Sequence, residues 1–239
     1  MPRSRSAVLL SSLLSLACLF AGPLAGQGAP RVSDEALGTQ PYDAFERPAA
    51  CATCHIDIAR QHEQAMMSQA YTHAWDEIEY FELAVLHAEK EAKVAGVKAG
   101  CNGCHAPLAF LAGDIPPQRP EKGSRANESV SCDLCHTVTG FSGDVPVNFN
   151  WTISPGKVKQ GPRAGAVSPH HETRENPFLR SAEFCGTCHN EKNPWGLFVK
   201  STHLEWKEGP HGRGGVVCQE CHMPPAPGRS ARMGAELPD

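Results

Sequence analysis

Two stretches of the chain are rich in apolar positions, and each predicts a different kind of segment. The first runs from Ala7 to about Ala21, follows Arg3 and Arg5, and is succeeded by small residues in GPLAGQGAP. A basic start, a short apolar run and a small-residue end are typical of a secretory signal peptide. The run is too short for a comfortable membrane-spanning helix. We therefore predict a signal peptide over residues 1–28 and a mature chain exported to the periplasm, the outer surface or the extracellular medium.

The second stretch, residues 49–95, contains no Gly or Pro and has a helical composition. One straight helix of that length would extend roughly 68 Å, whereas a compact domain of this size is only about 43 Å across. The stretch must therefore break into two helices, and Ala74–Asp76 is the predicted place. Residues 113–130 and 142–177 are rich in Pro, Gly and Ser and are predicted to be loops.

Composition and charge narrow the class of protein. The chain carries 22 Gly and 20 Pro but only 7% aromatic residues, and strand patterns are scarce. This composition therefore predicts a mainly α fold with short helices, long loops, little or no sheet and a small side-chain core. We expect a linker over residues 29–46, one domain over residues 47–225 and a flexible tail over residues 226–239. A net charge of −4 without a basic stripe argues against nucleic acid as a partner.

The cysteines carry the most specific pattern in the sequence. Of the 11 cysteines, Cys18 lies in the predicted signal peptide, where it leaves a lipid-anchored form open. The other ten form five CxxC pairs, and every pair is followed directly by histidine. The five motifs, numbered in chain order, are CATCH (51–55), CNGCH (101–105), CDLCH (132–136), CGTCH (185–189) and CQECH (218–222).

CxxCH is the attachment pattern of c-type haem. Two thiols add to the two vinyl groups of one porphyrin, and two intervening residues in a helical turn set the spacing of the sulfur atoms. The adjacent histidine then lies beneath the ring and ligates the iron. A zinc site or a disulfide framework would use the cysteines but would not require five adjacent histidines. The sequence therefore predicts five covalent c-type haems, with the fold packed around them.

Each motif thus supplies two attachment cysteines and one proximal iron ligand. The predicted attachment residues are Cys51, Cys54, Cys101, Cys104, Cys132, Cys135, Cys185, Cys188, Cys218 and Cys221. The predicted proximal ligands are His55, His105, His136, His189 and His222. The motifs start 50, 31, 53 and 33 residues apart, an alternation that suggests a repeated unit joining motif 1 with 2 and motif 3 with 4.

The second axial position of each iron decides between electron transfer and reaction with small molecules. Seven histidines lie outside the motifs. His62 is on the same helical face as His55 and cannot reach the opposite side of that haem. Met66 and Met67 are more typical of packing residues than of ligands. The candidate distal ligands are His73, His87, one of the neighbours His170 and His171, His203 and His211.

Several longer segments strengthen this interpretation. They are CATCHIDIARQHEQAMMSQAYTHAW, VSCDLCHTVTG, ISPGKVKQGP, SPHHETRENPFLRSAEFCGTCHN and THLEWKEGPHGRGGVVCQECHMP. From about Arg47 to Pro225, the chain resembles multihaem c-type cytochromes with a cytochrome c-554/c-prime-like domain, which are related to hydroxylamine-oxidising and nitrite-reducing multihaem families. The resemblance implies a multihaem cytochrome c fold, and it implies His171 rather than His170 as a distal ligand.

The leading functional hypothesis is an electron carrier of a respiratory or extracellular electron-transfer chain, which needs no catalytic residue. Its expected partners are redox proteins that donate and accept electrons. A membrane-associated quinol oxidase or reductase and a second copy of the chain stay open as partners. The alternative is an oxidoreductase for a small nitrogen or sulfur compound, with one haem of open coordination, which rests on kinship alone. An assembly subunit or filament-forming cytochrome is a third alternative.

We expect five haems to stay attached to the mature chain after denaturation. Replacing Cys51 and Cys54 together with alanine should lower the count to four, because no cysteine outside the motifs can replace that pair. A pyridine haemochrome assay with intact mass under denaturing conditions gives the count. A variant that still carries five covalent haems would contradict the assignment.

Overall fold

The computed structural model describes residues 36–237 except 118, 120, 122, 194 and 234–235. The predicted signal peptide, Cys18 and the first part of the predicted linker lie outside the described residues. About 45% of the structure is helical and the sheets are small, as expected for a mainly α fold. Within the described ranges, no helix is both long and apolar enough to cross a membrane.

The helices are short. The α-helices are α1 (Pro48–Ala52), α2 (Ile56–Gln64), α3 (Ala74–Glu77), α4 (Val85–Lys90), α5 (Val97–His105), α6 (Pro107–Ala112), α7 (Cys132–Cys135), α8 (Ala182–Gly186), α9 (Thr202–Glu208), α10 (Pro210–Arg213) and α11 (Cys218–His222). A π-helical segment, Ile78–Ala84, joins α3 to α4 in one continuous helix. The 3-10 helices are Tyr42–Ala44, Met66–Gln69, Ala92–Val94, Ala126–Glu128 and Pro177–Arg180.

The long Gly/Pro-free stretch breaks slightly earlier than predicted. Ala65 leaves the helical conformation with φ −82° and ψ 145°, and the next α-helix begins at Ala74. Between them Tyr71 is buried in the core, and its backbone N–H donates to Ser129 Oγ at 3.1 Å. The chain turns inward here because a large apolar ring and its backbone donor are both satisfied inside the molecule.

The strands form four separate two-stranded ladders. They are β1 (Val138–Phe141) with β2 (Trp151–Ile153), β3 (Val158–Gly161) with β4 (Glu172–Glu175), β5 (Glu191–Lys192) with β6 (Phe198–Lys200), and β7 (Gly228–Arg229) with β8 (Glu236–Leu237). Among the strands of the described residues, only the β3–β4 pair is parallel. Three of these strands, β2 to β4, lie in the 142–177 segment that was expected to be loop. They are too short and too polar to show an apolar alternation, and backbone pairing holds them.

The side-chain core is centred on α6, directly after motif 2. Pro107 begins this helix and Gly113 ends it with φ +73°, a conformation that favours glycine. One buried cluster includes Phe45, Ala99, Leu108, Phe110, Leu111, Leu134, Val138, Phe149 and Trp151. A second includes Tyr71, Tyr80, Val85, Ala106, Ala109 and Ala126.

The segments predicted as linker and tail both contact the central domain. On the N-terminal side, Phe45 lies in the core, and the Gly38 N–H donates to the Phe110 carbonyl at 3.1 Å. On the C-terminal side, the Arg232 N–H donates to the Cys54 carbonyl at 2.7 Å. The packed body therefore extends beyond residues 47–225 at both ends.

One glycine of motif 2 is required by close packing. Gly103 lies under the Phe149 ring, and a Cβ added at this position would overlap three atoms of that ring. Phe149 in turn packs against Phe110, with ring centres 4.7 Å apart. Gly100, on the same helix α5, has nothing within 4 Å of the position of an added Cβ.

Replacing these two glycines with alanine should therefore shift stability in opposite directions. Gly103→Ala should lower the free energy of unfolding by about 1–3 kcal/mol, because Phe149 must move in a packed core. Gly100→Ala should raise it by about 0.5–1 kcal/mol, because alanine favours the helix. Guanidinium unfolding of the haem-loaded protein, followed by far-ultraviolet circular dichroism, measures both. Equal effects of the two substitutions would contradict the described packing.

Candidate haem-binding site

Every motif lies on or at the end of a short helical turn. Motif 2 ends α5, motif 5 forms α11, and motif 3 coincides with α7 and the residue after it. The backbone N–H of the motif histidine donates to the carbonyl of the first cysteine at 2.9 Å for His55, 3.1 Å for His136 and 2.8 Å for His189. This bond continues the helical turn through the histidine. Cysteines three residues apart are therefore neighbours on one face, as attachment to one porphyrin requires.

Cysteines of different motifs approach one another. The ten described cysteines form no disulfide. The thiols of Cys51 in motif 1 and Cys132 in motif 3 interact, and this interaction, followed by burial, raises the pKa of Cys51. Cys104 of motif 2 interacts with Cys188 of motif 4 in the same way, which raises the pKa of Cys104. The attachment points of motifs far apart in the chain are thus in contact.

Motif 4 has two further neighbours among the motifs. Burial raises the pKa of the Cys185 thiol to about 12, with a further contribution from Cys218 of motif 5. Burial likewise raises the pKa of Cys135 in motif 3 to about 12, and Cys188 adds to that shift. Cysteines of motif 4 therefore interact with cysteines of motifs 2 and 5, and Cys188 lies in the neighbourhood of Cys135 of motif 3. These contacts do not follow the pairing of motif 1 with 2 that the spacing suggested.

Three motif histidines are oriented by distant backbone carbonyls. His105 Nδ1 lies 2.8 Å from the Ala70 carbonyl oxygen, and His136 Nδ1 lies 2.6 Å from that of Gln160. His55 Nδ1 contacts the Ser230 carbonyl oxygen. A carbonyl only accepts, so Nδ1 carries the proton and the lone pair is on Nε2. Metal-ligating histidines typically have this arrangement.

His171 lies opposite the motif 1 histidine. The ring centres of His55 and His171 are 6.3 Å apart and their planes differ by 32°. With metal–nitrogen bonds of about 2 Å and ring centres about 1 Å behind the nitrogens, two imidazoles flanking one metal ion are about 6 Å apart. His171 Nδ1 lies 3.1 Å from the Glu172 carbonyl oxygen, so its lone pair is also on Nε2. The spacing and tautomers of the pair fit a shared iron.

His203 is the most deeply buried of the candidate distal ligands. It is 4% exposed, and neither ring nitrogen has a hydrogen-bond partner. Burial lowers the pKa of its imidazole, so the ring is neutral at pH 7, the form that binds a metal. Its ring packs on Gly186 of motif 4, where an added Cβ would clash with it. The Glu183 carboxylate lies 3.9 Å from Nε2, and a buried imidazole without a hydrogen bond fits a ligand role.

His87 lines a cavity beside motif 2. The cavity has a volume of about 410 Å³ and is largely apolar. Motif 2 contributes Cys101, Asn102 and His105 to its wall, and the helix from α3 to α4 contributes the rest together with Tyr71. The cavity thus offers open, apolar space beside motif 2, where a porphyrin attached to that motif would need apolar contacts.

The remaining histidines are distributed over the surface and the loops. His73 is half-buried just before α3, His211 is exposed on α10, and the motif histidines His189 and His222 are also exposed. His62 Nε2 lies 2.9 Å from the Val130 carbonyl oxygen, which gives that ring a structural role. Met66 and Met67 are exposed on a 3-10 turn.

Taken together, the donor set fits c-type haem. The cysteines are free thiols on helical turns, three adjacent histidines have Nδ1 held by carbonyls, and one cavity opens beside motif 2. Residues 50–137 match the family described as cytochrome c554 and c-prime. The match covers 88 of the chain's 239 residues, so it shows that this part of the chain is similar to c554-type multihaem cytochromes. The family resemblance expected from the sequence is thereby confirmed, and c-type haem is the cofactor of this class.

A solved structure has a similar fold. It is the penta-heme cytochrome c552 from Thermochromatium tepidum, with a TM-score of 0.56 and 23% sequence identity. The match covers 78% of this chain and 56% of that protein, so this chain spans little more than half of its length. At this identity the likeness shows the fold alone. Comparison with curated proteins gives no match.

Some residues around the motifs were not predicted from sequence. Ala70, Gln160 and Ser230 act through backbone carbonyls, which every residue has, so their identity carries no signal. The partner of Asp133 within motif 3 is Lys159, at 2.6 Å. Asp133 is visible in the motif, but nothing in the local sequence points to a lysine 26 residues later.

Proposed function

We propose that the chain is an exported pentahaem cytochrome that transfers electrons between redox proteins in a respiratory or extracellular chain. Bound c-type haem supplies one-electron exchange at its iron. The observation that carries the proposal is the contact between attachment cysteines of different motifs. An electron carrier needs its redox centres close together, and this chain brings its attachment points together.

The contacts link all five motifs in one set. Motif 1 adjoins motif 3 through Cys51 and Cys132. The Cys188 thiol of motif 4 lies near enough to Cys135 of motif 3 to add to the raised pKa of Cys135. Motif 4 adjoins motif 2 through Cys188 and motif 5 through Cys185. The chain therefore has no isolated attachment point, and motif 4 has the most neighbours.

Histidines held by the fold also favour a carrier. An iron with two imidazole ligands has no free position for a small molecule, so its role is electron exchange. The pair of His55 and His171 fits this coordination in both spacing and tautomer. Closed coordination at every haem is the part of the proposal that distinguishes it from an enzyme.

The cavity beside motif 2 is the observation that favours the alternative, a small-molecule oxidoreductase. Tyr71 and Tyr80 line it together with Glu77 and Glu79. Glu77 is paired with Arg119 at 3.2 Å, and that guanidinium lies over the Phe81 ring of the same wall, so charge does not select an anion here and hydroxylamine, a small neutral nitrogen compound, is a suitable probe. His87 lies in the same wall, and coordination by His87 would close the site.

Electron paramagnetic resonance of the oxidised, fully loaded protein tests the proposal. We expect only low-spin signals in the unmodified protein. His171→Ala should convert one haem to high spin, because the ring opposite His55 is lost. His170→Ala is the matched control and should leave the spectrum unchanged, because that side chain is exposed.

A high-spin haem in the unmodified protein would contradict the carrier proposal. If hydroxylamine then changed that signal, the alternative would be supported, and the cavity beside motif 2 would be the place to introduce substitutions. Identical spectra for His171→Ala and His170→Ala would instead contradict the assignment of His171.

A further inference from the structure

A buried ion pair lies inside motif 3. Asp133, between Cys132 and Leu134, is 1% exposed. Its Oδ1 lies 2.6 Å from Lys159 Nζ, and its Oδ2 accepts the Glu46 backbone N–H at 2.7 Å. Each carboxylate oxygen therefore has a donor, and the lysine side chain is largely buried as well.

The lysine belongs to the strand that holds the motif 3 histidine. Lys159 lies on β3, and the next residue, Gln160, contacts His136 twice. The Gln160 N–H donates to the His136 carbonyl at 2.7 Å, and the Gln160 carbonyl oxygen lies 2.6 Å from His136 Nδ1. With the ion pair, β3 contacts motif 3 at three points within two residues of strand.

The same strand is connected to the distal histidine of motif 1. β3 pairs in parallel with β4, in the register Val158 with Glu172, and the Glu172 N–H donates to the Lys157 carbonyl at 3.1 Å. His171 immediately precedes β4 and faces His55. The ion pair thus lies where the supports of His171 and of the motif 3 histidine, His136, meet.

A contribution to stability does not by itself explain why this ion pair is buried. Removing two charges from water carries a large desolvation cost, and apolar residues of similar size are often neutral or stabilising replacements. A buried charge close to a redox centre, however, acts strongly on its reduction potential, because the low dielectric screens it weakly. A carboxylate stabilises the oxidised iron, and an ammonium stabilises the reduced iron.

We propose that the Asp133–Lys159 pair is a positioning element that sets the reduction potential of the haem attached at motif 3. Lys159 fixes β3 so that Gln160 orients His136, and its charge cancels the field of the buried carboxylate. The inference rests on the proposed function, since it requires haem at motif 3. Asp133 and Lys159 do not ligate the iron and act through His136 and through their charges.

Removal of the Asp133 charge and removal of the Lys159 charge should shift the reduction potential of the motif 3 haem in opposite directions. Asp133→Asn leaves the ammonium unbalanced and should shift the potential of the motif 3 haem upward. Lys159→Gln leaves the carboxylate unbalanced and should shift it downward. The double variant Asp133→Asn/Lys159→Gln should lie between the two single variants. Lys159→Arg keeps the charge and should stay near the unmodified protein.

Redox titration followed by electron paramagnetic resonance measures these shifts, because it separates the signals of individual low-spin haems. Lys157→Met is the matched control, since that side chain is exposed, and it should shift no potential. Shifts of the two single variants in the same direction, as expected from a loss of packing alone, would overturn the proposal. Unchanged potentials in both would overturn it too.

Two further measurements keep the test decisive. If a single variant fails to mature, the double variant and Lys159→Arg carry the test: both must mature with a potential close to that of the unmodified protein, and a large shift in either would overturn the proposal.

The haem count per chain separates this inference from the proposed function. A chain with no haem at motif 3 contradicts the proposed function itself, whereas a full count with same-direction shifts contradicts only the role of the ion pair.

Discussion

A histidine that presents Nε2 to a metal ion needs an acceptor for the proton on Nδ1, and much of this fold supplies such acceptors. The Ala70 carbonyl comes from the break between two helices, that of Gln160 from a short strand, and that of Ser230 from the C-terminal segment. Each acceptor is 24 or more residues from its histidine. Folding therefore has to bring irregular segments to the motifs, and it does so with short strands and turns rather than long helices.

Apolar and charged groups are distributed differently around motifs 2 and 3. The side-chain core is small and centred on α6, beside motif 2. Motif 3 instead has a buried ion pair, Asp133 with Lys159, that fastens it to β3. Because β3 also pairs with the strand that follows His171, one shared ladder supports both His171 and the motif 3 histidine, His136. A change in this ladder would thus affect both histidines.

The sequence predicts those features that are local and repetitive. Each CxxCH motif places its ligands within five residues, so all five motifs and their helical turns could be recognised without a structure. The two-helix break was predictable from length, but its position depends on Tyr71 turning into the core. Strands β3 and β4 were not predictable, because VKQG and ETRE show no apolar alternation. Their pairing depends on groups remote in the chain.

The sequence also leaves open which histidines and which motifs are neighbours in the fold. His171 was expected to be a distal ligand from the family resemblance, yet only the structure places it opposite His55. Likewise, the spacing suggested that motif 1 pairs with 2 and motif 3 with 4, whereas the cysteine contacts also join motif 1 with 3 and motif 2 with 4. Contacts between motifs depend on how the long intervening segments of the chain fold back, which no local pattern encodes.

The central claim is that the five attachment points form one connected set around motif 4. Iron anomalous diffraction from crystals of the haem-loaded protein tests it most directly. We expect five iron positions in one group, with the iron of motif 4 next to those of motifs 2, 3 and 5, and the iron of motif 1 next to that of motif 3. Iron positions in separate groups, or a motif 4 iron at the edge of the set, would contradict the account.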